Sequence, residues 1–163
     1  MFPSLKEASV DASSIIYMLK CGLLGKTAAH IKLYCSPPVA AETGWPGLPV
    51  TQVMPKGRFS TNDESVVLLG EEMNIPVISE DKKLLMAAER KGLRYFNTLM
   101  ILNWLLLDSA VSEEEYLEYR AELVKVARYN NRVLEYAEEI HKNIKQNKQN
   151  IINIMKNYGG FDE

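Results

Sequence analysis

The sequence predicts an α/β fold, a three-layer α/β/α sandwich with a mostly parallel central sheet and added C-terminal helices. Short apolar segments alternate with segments of helical spacing through the first two thirds of the chain. Helix-start residues follow most of those apolar segments, as they do where strands feed crossover helices. Beyond residue 112 the alternation stops and only helical spacing remains.

Val10 closes a first short apolar stretch, Leu5-Lys6-Glu7-Ala8-Ser9-Val10, and Asp11-Ala12-Ser13-Ser14 follows it. Ile15, Ile16, Tyr17, Met18, Leu19, Leu23 and Leu24 then keep helical spacing, with Gly22 and Gly25 weakening the end. Ile31-Lys32-Leu33-Tyr34-Cys35 alternates as a strand does. Pro37-Pro38 opens a short helix that Gly44 stops. Residues 45–59 hold Pro46, Gly47, Pro49, Pro55 and Gly57, the composition of a long surface loop or a weak edge strand. Thr61, with Glu64 three residues later, has the pattern of a capping box for a helix running to about Met73. Ile75-Pro76-Val77-Ile78-Ser79 reads as a buried strand, and a helix from Glu80-Asp81 ends at Gly92. Leu93-Arg94-Tyr95-Phe96 is a short strand, followed by a strongly apolar helix over 98–107. Ser112-x-x-Glu115 is a second capping-box pattern, and two helices are expected after it, broken near Tyr129-Asn130-Asn131. The chain thus divides into an α/β domain over 1–111 and a helical extension over 112–163, packed on that domain or on a partner.

The 163 residues are enough for one domain with a substantial core, and 47% hydrophobic with 25% charged residues is ordinary for a globular protein. The longest apolar run, 99–107, is about half of a bilayer span. The first residues lack the apolar stretch of a secretory signal, so no membrane and a cytoplasmic location are expected. Cys21 and Cys35 lack metal-ligand spacing and read as reduced, buried thiols. The histidines, His30 and His141, are too few for a zinc site or a Ser-His-Asp triad to be well supported. A net charge of −2 excludes a chain that coats nucleic acid non-specifically.

Chemistry therefore falls to the carboxylates. Asp11 follows the first strand and Asp81 lies just beyond Ile78, while Asp63 and Glu42 stand in early turns of their helices. In an open parallel sheet these places lie along one edge, where ligands bind. Clustered carboxylates repel one another, and a hard divalent cation relieves the repulsion. Each acid also has a plain explanation: Asp11 as a helix cap, Asp63, Glu64, Glu80 and Asp81 as acids favoured at helix starts, and Glu42 as an exposed helix residue.

The motifs together resemble the PIN-domain family. Val10-Asp11-Ala12-Ser13-Ser14-Ile15-Ile16-Tyr17, Ser36-Pro37-Pro38-Val39-Ala40-Ala41-Glu42, Asp63-Glu64-Ser65-Val66-Val67-Leu68-Leu69 and Ile78-Ser79-Glu80-Asp81-Lys82-Lys83-Leu84 are similar to its four motifs, in order. The similarity covers roughly residues 10–107 and is closest to a prokaryotic, toxin-type branch. It implies a Mg²⁺- or Mn²⁺-dependent endoribonuclease with Asp11, Glu42, Asp63 and Asp81 as metal-binding acids. Ser13 and Ser79 match its supporting hydroxyl positions, and Glu80 is expected to be partly interchangeable with Asp81. The resemblance also implies an RNA substrate and an antitoxin partner, and the amphipathic tail is read as the surface of a homodimer. The first strand departs from the family's aliphatic run, and the extension after 112 is longer than a minimal toxin needs.

Arg58, Lys82 and Lys83 are the basic residues best placed for RNA, with Arg90, Lys91 and Arg94 behind them. Trp45 and Tyr34 are expected to pack in core or loop rather than stack on a base. His141, Lys142, Lys145 and Lys148 read as a solvated face, and Ile151, Ile152, Met155 and Tyr158 as a stripe for a partner or second copy. A PIN fold kept as a binding or assembly module, with weak or no activity, is the alternative. A receiver-type phosphoacceptor fits less well, because the strand ending near Cys35 supplies no Asp.

Overall fold

A computed structural model describes residues 4–146. Five parallel strands form one sheet in the order β3-β2-β1-β4-β5: β1 Glu7–Val10, β2 Lys32–Cys35, β3 Thr51–Gln52, β4 Val77–Ile78 and β5 Tyr95–Phe96. The helices are α1 Ala12–Lys20, α2 Leu24–His30, α3 Pro37–Thr43, α4 Asn62–Met73, α5 Lys82–Arg90, α6 Thr98–Leu107, α7 Glu113–Ala127 and α8 Asn131–Gln146. Central β1 pairs with β2 on one side and β4 on the other, so Ser9 lies opposite both Tyr34 and Val77.

The chain first winds outward from β1 to β3, then returns across β1 to form β4. With right-handed crossovers that reversal moves the connecting helices to the other face of the sheet. Accordingly α4 and α5 pack on each other and on β1, β4 and β5, while α1 packs with α3, α6 and α7. This is the expected three-layer sandwich. The first strand departs from an aliphatic run because its middle residue is buried through a hydrogen bond: Ser9 is fully buried, and its hydroxyl donates to the Val66 carbonyl of α4 at 2.7 Å.

Two boundaries differ from the sequence expectation. Gly22, at φ 76°, ends α1 and lets α2 form as a separate helix, where a single fading helix was expected. At α4 the Thr61 hydroxyl caps Glu64 N–H as predicted, but the Glu64 carboxylate reaches Ser60 N–H at 3.0 Å, one residue earlier than a capping box requires. The Ser112–Glu115 box is complete in both directions. The Pro/Gly-rich segment supplies an exposed two-residue edge strand, β3.

α6 is apolar on all sides, and such a helix must be buried on all sides. α1 and β5 cover part of it, and α7 and α8 cover the rest. Tyr116, Leu123, Ala137, Ile140 and Ile144 therefore belong to the same core as the sheet. The described part of the extension packs on the domain. Lys148 and the stripe from Ile151 to Tyr158 lie outside the described residues. His141 is a correction: it does not lie on a solvated face. It is 5% exposed, bonds Glu113 at 2.6 Å and lies against the Tyr116 ring. α8 turns this face inward because α7 needs cover.

Candidate carboxylate site

Asp11 is placed by the last rung of the sheet. Its N–H still donates to the Ile78 carbonyl at 3.1 Å, and its side chain then caps α1, Oδ1 accepting from Ser14 N–H at 2.8 Å. The strand after the reversal ends beside it. There Ser79 donates from Oγ to Asp11 Oδ2 at 2.5 Å and accepts from Asp81 N–H at 3.0 Å. Asp11 and Ser79 thus occupy the crevice where the strand order reverses, the usual ligand position of an open parallel sheet. Burial pushes the Asp11 carboxyl up to about 6, against the lowering pull of the Ser79 and Ser14 hydrogen bonds, with Glu80 adding a smaller like-charge push.

The other acids line the same edge and are exposed. Asp81 caps α5, accepting from Lys83 N–H at 2.8 Å. Asp63, in the first turn of α4, has its carboxyl raised by partial burial and then by the Asp81 and Glu42 carboxylates, which places all three in one field. Glu42 on α3 accepts from the Asn62 amide at 2.6 Å. As the side chains stand, no three His, Cys, Asp or Glu among the described residues are gathered around a single metal position. Asp11, Asp81 and Glu42 are each turned to a neutral donor instead.

Glu80 differs from the expectation that it shares a role with Asp81. Its carboxylate accepts from the Ser14 hydroxyl at 2.5 Å, Thr98 N–H at 3.2 Å, the Thr98 hydroxyl at 2.8 Å and the Tyr129 hydroxyl at 2.5 Å. Four donors use up the roughly four acceptor positions of a carboxylate, so Glu80 knits elements together. Ser13 is exposed; its neighbour Ser14 is buried and bonds both acids. Ser14 was readable as the residue whose N–H an Asp cap at 11 would satisfy. Asn62 and Tyr129 carried no local signal for these contacts.

Arg58, Lys82 and Lys83 are exposed beside this edge. A groove of about 410 Å³ between α4 and α5 runs from Asp63 over Val67 and Leu84, with Arg58, Lys83 and Arg90 along it. Lys91 there is paired to Glu71 at 3.6 Å, and Arg94 is half-buried. Tyr34 is buried, as expected, and bonds Glu7. Trp45, expected to pack, is 60% exposed.

The donor set is all hard oxygen, which suits Mg²⁺ or Mn²⁺ and not a nitrogen- or sulfur-seeking metal. Asp11 fits that role best: it is a buried acid at the strand ends, with only neutral donors on its two oxygens and acceptor capacity to spare. No family model, curated protein or solved structure matches this chain.

Proposed function

We propose that this protein is a Mg²⁺- or Mn²⁺-dependent endoribonuclease in which Asp11, Asp63, Asp81 and Glu42 hold the cation. The supporting observation is a buried carboxyl at the point of strand reversal, flanked along one sheet edge by three further carboxylates, two of which raise the third. The cation, when bound, supplies positive charge against the phosphodiester and acidifies water. Ser79 and Ser14 hold Asp11 in place, and the Asp81 and Asp63 carboxylates face open solvent where a strand of RNA has access. Arg58, Lys82 and Lys83 give that edge local positive charge, which a chain of net charge −2 needs in order to hold a polyanion. An antitoxin partner rests on the family resemblance alone, and a homodimer on the apolar stripe of the tail, which lies outside the described residues.

The test is cleavage of single-stranded RNA by purified protein with Mn²⁺. Cleavage is expected to stop with EDTA and to be lost in Asp11→Asn. Equal cleavage by Asp11→Asn refutes the assignment. The engagement of Glu42 by Asn62 favours one other reading, a binding module with little activity. In that case Mn²⁺ leaves the melting temperature unchanged, because a cation that does not bind the folded state cannot stabilise it.

A further inference from the structure

The α7–α8 hairpin lies beyond the stretch that resembles a nuclease domain, yet it reaches the carboxylate edge. α7 ends at Arg128, a non-glycine residue at φ 51°, and Asn130 caps α8 through Val133 N–H at 2.9 Å. A left-handed arginine is unfavourable by itself, so the surrounding packing must hold this turn. That packing is present. The buried Tyr116 hydroxyl of α7 donates to Asn103 of α6 at 2.6 Å, and the Asn103 amide donates to the Ala137 carbonyl of α8 at 3.4 Å. Between the two caps sits Tyr129, whose hydroxyl is 2.5 Å from Glu80 Oε1.

From Glu80 the connection runs through Oε2 to the Ser14 hydroxyl at 2.5 Å, and from Ser14 N–H to Asp11 Oδ1 at 2.8 Å. Every link joins an acceptor-only carboxylate to a donor, so no link can reverse its sense while the acids are charged. We infer that Glu80 and Tyr129 are positioning residues for the Asp11 carboxylate, which makes the α7–α8 hairpin part of the site. This rests on reading Asp11 as the acid at the centre of the site and goes beyond it, because it assigns a task to a segment outside the motifs. Glu80 stands next to Asp81 and near Asp11. Without the Tyr129 hydroxyl, Oε1 keeps only the Thr98 N–H, 3.2 Å away and shared with Oε2, so Glu80 is held less tightly. The Ser14 hydroxyl then has a less firmly placed acceptor, and the first turn of α1 that is capped by Asp11 is held less tightly.

The experiment uses the full chain with Tyr129→Phe, which removes one oxygen and leaves the ring. Amide hydrogen exchange at Thr98 and Ser14 is expected to quicken about tenfold, with the melting temperature shifted by only about 2–4 °C. Mn²⁺ affinity, by calorimetry, is expected to weaken about tenfold, and kcat on RNA to fall similarly with KM unchanged. Glu80→Gln should give the same pattern, and the double variant no more than either single one. Unchanged exchange at Ser14 in Tyr129→Phe overturns the inference, as does quicker exchange with wild-type Mn²⁺ affinity and kcat. If the wild-type protein cleaves no RNA, the ribonuclease reading has failed on its own. Exchange and Mn²⁺ affinity then still decide the coupling.

Discussion

Asp11→Asn separates the burden that a buried carboxylate puts on the fold from the task it performs. The carboxyl moves from the ordinary 3.8 when unfolded to about 6 when folded, chiefly by burial. Between these values the native state holds the proton more tightly than the unfolded chain. Stability therefore falls as pH rises through the window from about 4 to about 6 and stays level above it. A shift of about two units at 1.36 kcal/mol per unit amounts to about 3 kcal/mol, and Asp11 is only 5% exposed, so little of this is lost to solvent screening. Asparagine carries no such penalty. It keeps the acceptor for Ser14 N–H but puts an amide where Oδ2 accepted from Ser79 Oγ, so the Ser79 hydroxyl loses its acceptor; that mismatch costs about 1 kcal/mol. At pH 7 in EDTA the variant should be more stable by about 1–3 kcal/mol, or about 3–8 °C in melting temperature for a chain of this size. The advantage should vanish near pH 4. Far-UV circular dichroism melts of both proteins across that range read the difference directly, and the raised Asp63 carboxyl cancels because both proteins contain it. With Mn²⁺ the order should reverse, since only the wild type gains a ligand. A variant less stable at every pH, with a curve parallel to the wild type, refutes the reasoning.

Three further outcomes follow from the packing. A Cβ at Gly70 would sit 2.9 Å from Val77 Cγ2 and 3.2 Å from the Ile75 carbonyl, both on or beside β4; Gly70→Ala should lose about 1–2 kcal/mol, because overpacking outweighs about 1 kcal/mol of helix propensity, and a stabilised variant would disprove it. Tyr116→Phe orphans the buried Asn103 oxygen and should cost about 1–3 kcal/mol, seen as a lower urea midpoint with the same slope. Burial pushes both thiols up, that of Cys35 to about 11, so Ellman's reagent at about pH 8 should label neither until the protein is unfolded; rapid labelling of the native protein would show that the core opens.

The fold was legible where one local rule governed each element. Gly44 adopts the left-handed cap that ends α3, Asn97 caps α6, and an apolar run with no polar face gave α6 its observed bounds. Legibility failed where a residue answers to a distant neighbour. His141 looks like a surface residue by composition, and only the approach of α7 with Glu113 and Tyr116 buries it. Trp45 was expected to pack in core or loop, but it stands 60% exposed in the Pro/Gly-rich segment.

The carboxylates show why capping and site readings are hard to separate in a sequence. A parallel strand ends where the next helix begins, so an acid that caps the helix is delivered to the ligand edge by the same geometry. Asp11 and Asp81 both cap helices, and both stand at that edge. The capping explanation therefore does not compete with the functional one; it describes how the side chain arrives there. Glu80 follows the opposite logic. It stands next to Asp81 in sequence, but its partners lie on α1, α6 and the α7–α8 turn, and they consume its oxygens. What distinguishes an acid able to take a cation from one spent on structure is the number of donors already on it. That number is set by Ser14, Thr98 and Tyr129, residues far from position 80 in the chain. If Thr98→Val together with Tyr129→Phe frees Glu80, the variant should tolerate Asp81→Asn better than the wild type does in Mn²⁺ affinity, and failure to do so would mean that position, not donor count, separates the two acids.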